Sequence, residues 1–517
     1  MNDSNRQKIR RVALGSLVTF AGNLITIIER VILVPLFLKF WGTEPYGEWL
    51  SLAAAVSYMS MLELGVQSYV INKLNQCYST GRSDEYIYIL HSALMVSVIV
   101  CSSVIVFIAL ILPVFPLERW FHFIHTGHSL AVLVTFLLAI QIVVKIPCGI
   151  ITGLYRTFGE FPRGAMIGNV QVLLVFLITG TVIISGGGFA LLALLQLVPI
   201  SLIVLYVFRD IGRRHPEVHL GFKGGSLKKG FSFLIPGSCF FLIQISTLMG
   251  FSGSTIIVAT QLGPAAVVVF STLRTLANVT KQIPQAINIA LWPELTSLEA
   301  QKQYETLKKT HFFIVKIGFL ISFCLAIIIH FAGKELVTLW TRGRISYDSQ
   351  LMNIFLGYIV LQIIWSLSGT FQAAFNRPGL VGMCTFASMV TGLTLAYFLT
   401  RRYGTAGTVG GLFIAEGLIC GVALPLRTCR ILGESTGAFI RGVIVRALPG
   451  VVVLYLWAYW LWKVIKPFGT PGSVFLFGAV VLLSGMFMGY YFYLNRQERI
   501  ILSPILTSLR GKLRCRS

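Results

Sequence analysis

Fourteen blocks of mostly apolar residues, each about 20 residues or longer, divide this chain and leave few folds open to it. They lie near 12–36, 46–72, 87–113, 128–152, 164–185 and 188–208, and then near 231–256, 263–292, 311–335, 350–373, 379–400, 404–427, 441–462 and 474–494. A helix rises ~1.5 Å per residue, so ~20 apolar residues cross the ~30 Å of hydrocarbon in a bilayer. Backbone in lipid must satisfy its own hydrogen bonds, and continuous apolar blocks do so as helices. Only 12% of the 517 residues are charged and the mean hydropathy is +0.80. The expected fold class is therefore an all-α polytopic membrane protein of about fourteen transmembrane helices. The apolar stretch at the N-terminus runs past residue 30 without a small-residue cleavage site, and reads as a first membrane helix, not a signal peptide.

The formal net charge is +23, from 42 Lys and Arg against 19 Asp and Glu. Position explains it without nucleic acid. With the N-terminus in the cytoplasm, 27 of these cations fall on inside segments, 9 on outside loops and 6 within spans, which is the positive-inside pattern. Anionic headgroups of the membrane lipids then lie within reach of the basic loops. An even number of spans returns the C-terminal tail to the cytoplasm. The nine cysteines are scattered, with Cys101, Cys148, Cys239, Cys324, Cys384 and Cys420 in apolar blocks and no CxxC pair. They read as small core hydrophobes, and no metal or cofactor is expected.

The chain matches itself at a shift of about 220 residues. Gly42 falls on Gly263 at 221, and Trp120 on Trp340, Gly149 on Gly369, Tyr155 on Phe375 and Gly159 on Gly379 at 220. Six spans separate the copies, so both enter the membrane in the same direction, as parallel repeats do. The expected organisation is an N-terminal six-helix lobe (1–208), a basic cytoplasmic linker (209–230), a C-terminal six-helix lobe (231–427), and two further helices with a basic tail (428–517). Two lobes joined this way suit transport by alternating access, with the substrate passing between the lobes. No P-loop, HExxH or GxSxG occurs, so no enzyme activity is expected. Energy would come from an ion gradient, the substrate's own gradient or a partner.

Ionisable groups inside spans are costly unless they face a cavity or a partner. Lys316 and Arg446 lie near cytoplasmic ends, where snorkelling accounts for them. Span 8 is different. Arg274, Asn278, Lys281, Gln282, Gln285 and Asn288 share one helical face, while Leu273, Leu276, Val279 and Ile287 lie opposite. Such a stripe lines a cavity for an anion, phosphate first, or glues helices together. Span 2 carries a shorter stripe of Ser60, Glu63 and Gln67. Glu63 either pairs with a cation such as Arg30 or Lys145, or serves as a proton or sodium site. Glu29, Arg30, Lys145 and Glu416 complete the inventory.

The segment "LVPLFLKFWGTEPYGEWLSLAAAVSYMSMLELGVQSYVINKL" (33–74) resembles the first loop and second helix of Wzx-type polysaccharide transporters, the lipid-linked oligosaccharide or O-antigen flippases of the multidrug/oligosaccharidyl-lipid/polysaccharide exporter superfamily. The elements are Pro35 to Leu38, Gly42, the Tyr46-Gly47 pair, and Glu63-Leu64-Gly65 where family members often have Asp-x-Gly. "ELVTLWTRG" (335–343) resembles the loop before span 10. The resemblance implies an inner-membrane protein that moves an undecaprenyl-diphosphate-linked glycan, a repeat unit of surface polysaccharide such as lipopolysaccharide, from the cytoplasmic to the periplasmic leaflet by ion-coupled alternating access. A polysaccharide polymerase and a chain-length regulator are the protein partners it suggests.

A diphosphate with an attached sugar needs a hydrated, cationic, amide-rich cavity. Arg274 and Lys281, with Asn278, Gln282 and Gln285, are the first-choice contacts and Arg30 and Lys145 the second. Glu63, Glu416 and Glu29 are candidate ion-coupling or structural acids. Two alternatives stand beside this reading. A cation-coupled drug exporter of the same superfamily would favour acids over bases in its cavity. A membrane-embedded glycan ligase or polymerase would carry a large outer loop, whereas the longest here, near 114–127 and 336–349, have about fourteen residues.

Overall fold

The computed structural model describes residues 3–63, 66–375, 377–468, 470–495 and 498. Leu64, Gly65 and all of the basic C-terminal tail beyond Asn495 except Glu498 lie outside them, as does the side chain of Glu63. The described residues are helical with no strands, and helices cover all fourteen expected stretches.

The chain forms two compact units. The first comprises residues 1–271 and 400–408. It holds α1 (Asp3–Phe40), α2 (Thr43–Ser57), α3 (Val66–Ser79), α4 (Ser83–Ile111), the short α5 (Leu117–Trp120), α6 (His128–Thr157), α7 (Phe161–Ile184), α8 (Phe189–Leu195), α9 (Leu197–Arg214), the short α10 (Leu227–Phe231), α11 (Leu234–Leu248) and α12 (Ser254–Leu262). Its core gathers Leu74, Ile89, Leu90, Leu154, Tyr155 and Ile211 from α3, α4, α6 and α9.

Two spans in this unit are broken. The second runs as α2, a 3-10 stretch over Tyr58–Glu63, and then α3; the seventh runs as α11, a π turn over Met249–Gly253, and then α12. The breaks touch, because the Ser57 hydroxyl donates to the Ser252 hydroxyl at 2.6 Å.

The basic stretch 209–230, expected as a linker, lies within this unit and is not a loose tether. His91, buried on α4, places its two ring nitrogens 2.6 Å from the carbonyl oxygens of His219 and Lys223. A Cβ at Gly225 would come within 2.9 Å of the His91 carbonyl carbon, so only glycine lets the linker lie this close to α4.

A second anchor is polar and fully buried. Glu48 of α2 accepts the backbone N–H of Ile124 at 2.7 Å and of His125 at 2.8 Å, and also the Thr126 hydroxyl. One carboxylate thus satisfies three donors of the turn that enters α6. Glu48→Ala is expected to cost about 3 kcal/mol or more, because buried donors lose their acceptor. Thermal unfolding in detergent should show a clear fall, with faster proteolysis at 121–127. Glu48→Gln, which keeps one acceptor oxygen, should fall less.

The second unit comprises residues 272–399 and 409–517. Most of α13 (Pro264–Ala300) lies in it, followed by α14 (Tyr304–Thr341), α15 (Ser349–Ala374), α16 (Gly379–Leu418), α17 (Cys420–Leu432), α18 (Thr436–Val443), α19 (Leu448–Ile465) and α20 (Pro471–Met488). Spans 11 and 12 both fall within α16 and α17, and Gly404, at φ 60° and ψ −147°, breaks the helix between them. One core joins Leu307, Ile314, Phe371 and Phe439, and a second packs α19 and α20 on α14 through Ala332, Ala458 and Phe477.

Two of the glycines that the self-match pairs share a backbone conformation. Gly42 has φ 85° and ψ −178° before α2, and Gly263 has φ 82° and ψ 178° before α13. A side chain is strained at such a φ, which is why glycine stands at both starts. Among the described residues ten helical stretches are long and apolar enough to cross a membrane, one of them (Gly379–Leu432) carrying two spans. Span 1 is formed by α1, span 2 by α2 with α3, and span 8 by α13.

Candidate functional site

In the first unit the polar side chains converge on Lys145. Pro147 lies two residues on, inside α6, and has no N–H to give to the Val143 carbonyl. The Cys101 thiol of α4 donates to that oxygen instead, at 3.4 Å. Lys145 is exposed into a cavity of about 470 Å³. Gln67, Ser57 and Ser60 reach it from the broken second span, Thr152 from the next turns of α6 and Gln171 from α7, while Ile200, Val204 and Phe208 of α9 form an apolar side. Gly149 makes this possible, since a Cβ there would come within 2.4 Å of the Gln67 amide nitrogen.

Glu29 and Arg30 stand on α1, the acid half-buried and the base exposed. Glu29 lies within electrostatic range of both Arg30 and Lys145. Among the described residues no ion pair within 4 Å involves Lys145. The arrangement presents one ammonium, two amides and three hydroxyls in a space of ligand size, a donor set for an anion that also carries hydroxyl groups.

The second unit holds a tighter polar cluster. Lys281 of α13 donates to the Gln362 side-chain carbonyl at 3.0 Å, and the Gln362 amide donates to Glu416 at 3.2 Å. Glu416 is buried and also accepts the Trp365 indole N–H at 3.1 Å and the Tyr358 hydroxyl. A buried carboxylate is tolerated only with such partners. Along the same stripe Asn288 donates to Thr370 at 2.6 Å. Arg274 is buried, Asn278 and Gln282 are half-buried, and Gln285 is exposed. On the other side Leu273 is buried, while Val279 and Ile283 are exposed.

The structure thus joins Glu29, Arg30 and Lys145 in one neighbourhood, and Lys281 with Glu416 in another. Lys316, expected to snorkel, is instead buried with its ammonium 2.8 Å from Glu498, so pairing replaces exposure to water. Tyr358, Gln362 and Trp365 were missed from sequence, yet their offsets of four and three place polar groups on one face of an apolar helix, a readable signal.

No protein-family model matches the sequence. No curated protein matches it. Solved structures do match in fold. A structure described as the lipid II flippase MurJ in an inward closed conformation aligns with a TM-score of 0.67 at 12% identity, over 92% of this chain and 99% of that one. An inward-facing multidrug resistance MATE family transporter of the MOP superfamily aligns at 0.67 with 14% identity, over 81% and 98%. A MOP superfamily transporter from Pyrococcus furiosus, described as having a binding pocket of reversed polarity, aligns at 0.58 with 12% identity, over 84% and 96%. The chain has the fold of these transporters.

Proposed function

We propose that this protein is a flippase that moves an undecaprenyl-diphosphate-linked oligosaccharide across a bacterial inner membrane by ion-coupled alternating access. The cavity around Lys145 carries the reading. Its ammonium suits a phosphate as a point charge, and Gln67, Gln171, Ser57, Ser60 and Thr152 suit sugar hydroxyls. The polyprenyl tail stays in lipid, where it needs no site of its own. The fold of a lipid II flippase supports the substrate class, and the Wzx-like segment at 33–74 supports a surface-polysaccharide repeat unit. The charge distribution supports cytoplasmic termini. A polymerase and a chain-length regulator would act on the product.

The drug-exporter reading has its own support in the equal TM-score of the multidrug transporter and in the buried Glu416. One experiment separates the two. A null strain is expected to lose surface glycan while lipid-linked repeat units accumulate, and the purified protein in vesicles should flip such a lipid but not extrude a cationic dye. Normal surface glycan in a null strain with no second flippase would overturn the proposal. Dye extrusion without lipid flipping would install the exporter, and a null strain lacking the lipid-linked intermediate would indicate a synthetic enzyme.

A further inference from the structure

A second, larger cavity lies in the second unit, away from the polar cluster around Glu416. It measures about 660 Å³ and is lined by Lys308, Lys309 and Lys316 of α14, by Arg446 in the turn before α19, and by Glu434 and Glu498. Here α14 starts, α17 ends and α20 ends, on the side that the Lys and Arg distribution assigns to the cytoplasm.

The cations are not equally committed. Lys316 is held by Glu498 at 2.8 and 3.1 Å, and its ammonium also lies 5.6 Å from the centre of the Tyr493 ring. Lys308 pairs with Glu305 at 2.8 Å. Among the described residues Arg446 bonds a neutral group, the Asn495 side-chain carbonyl. Lys309 is exposed and makes no ion pair within 4 Å among the described residues. Two cations therefore keep charge to offer an incoming anion, on walls built by the buried pair.

The segment that carries Arg446 also exposes apolar side chains. α18 buries Phe439 and Val443, yet Ile440, Ile444 and Val445 are 46%, 37% and 50% exposed, and Leu448 at the start of α19 is 52% exposed. A free phosphate has no use for that flank, whereas acyl chains cover it. We propose that this cavity binds the headgroup of an anionic phospholipid, with the phosphate on Lys309 and Arg446 and the acyl chains along Ile444, Val445 and Leu448. Glu434 adds an acceptor for hydroxyl donors, which favours a glycerol headgroup. The site is independent of the transported substrate.

Native mass spectrometry of the full-length protein tests it, with phosphatidylglycerol, phosphatidylcholine and inorganic phosphate as probes. One phosphatidylglycerol is expected to stay bound where phosphatidylcholine leaves, and millimolar inorganic phosphate should not displace it. In the Lys309→Gln, Arg446→Gln double variant its affinity should fall about 25-fold, each basic residue counting for about fivefold. If that variant lost its thermal transition, Lys309→Gln alone, at an exposed side chain, should still show about a fivefold loss. Equal retention of phosphatidylcholine, undiminished binding by the variants, or displacement by inorganic phosphate would overturn the proposal, the last by making this an ion site.

Discussion

Lys145→Ala should lower the rate of flipping about 100-fold while the protein still inserts and accumulates, because truncating one partner of a desolvated charge pair commonly costs 2–5 kcal/mol or more. Lys145→Arg should keep most of the activity, since the charge survives and a guanidinium also binds phosphate. Gln67→Ala, which removes an amide from the same cavity but no charge, should cost about tenfold or less. The assay is the appearance of labelled lipid-linked oligosaccharide in the far leaflet of vesicles. The competing account makes Lys145 a counter-charge for Glu29. It requires that the Glu29→Gln, Lys145→Met double variant transport normally, and that result would remove Lys145 from the substrate site.

Glu416→Gln should have an effect of similar size, about 100-fold, by breaking the response to an imposed ion gradient. Glu416 receives donors from Tyr358, Gln362 and Trp365 and reaches Lys281 through Gln362. A buried acid in such a setting can take up and release a cation with small movements of its partners. Lys281→Met is expected to impair the same coupling, and the double variant with Glu416→Gln should stay inactive. If the double variant instead recovers transport, the cluster only holds α13, α15 and α16 together, since breaking one side of a buried charge pair destabilises by about 3–5 kcal/mol. Arg274, buried ~10.5 Å before Lys281 along α13, belongs to the same test. Arg274→Lys should keep more activity than Arg274→Gln.

The spans could be read from sequence because lipid imposes a length and a polarity on each helix, and Gly42 and Gly263 stood out as a pair because both answer the same backbone demand. The polar stripe of span 8 was legible as a face, but not what each member touches. Lys281 meets Gln362 across 81 residues of chain, and Lys316 meets Glu498 across 182. Nothing in local spacing specifies such partners, since packing chooses them. The role of Glu48 was hidden for the same reason: its three donors lie 76 to 78 residues away. The cavity at Lys145 escaped notice because Ser57, Thr152 and Gln171 look unremarkable singly and matter only where Pro147 and Gly149 bring helices together.

The broken second span has a mechanical consequence. Six residues of 3-10 helix over Tyr58–Glu63 rise ~2.0 Å and turn ~120° each, whereas α-helix rises ~1.5 Å and turns ~100°. Rewinding the stretch to α-helix would draw α2 toward α3 by ~3 Å and rotate it by ~120° about its axis, the action of a screw. The Ser57 hydroxyl is seated against Ser252 in the π turn of the seventh span, so the thread cannot turn until that contact opens. Ser57, at the end of α2, would turn past Gln67 on α3, changing which groups face the Lys145 cavity without any helix leaving the membrane.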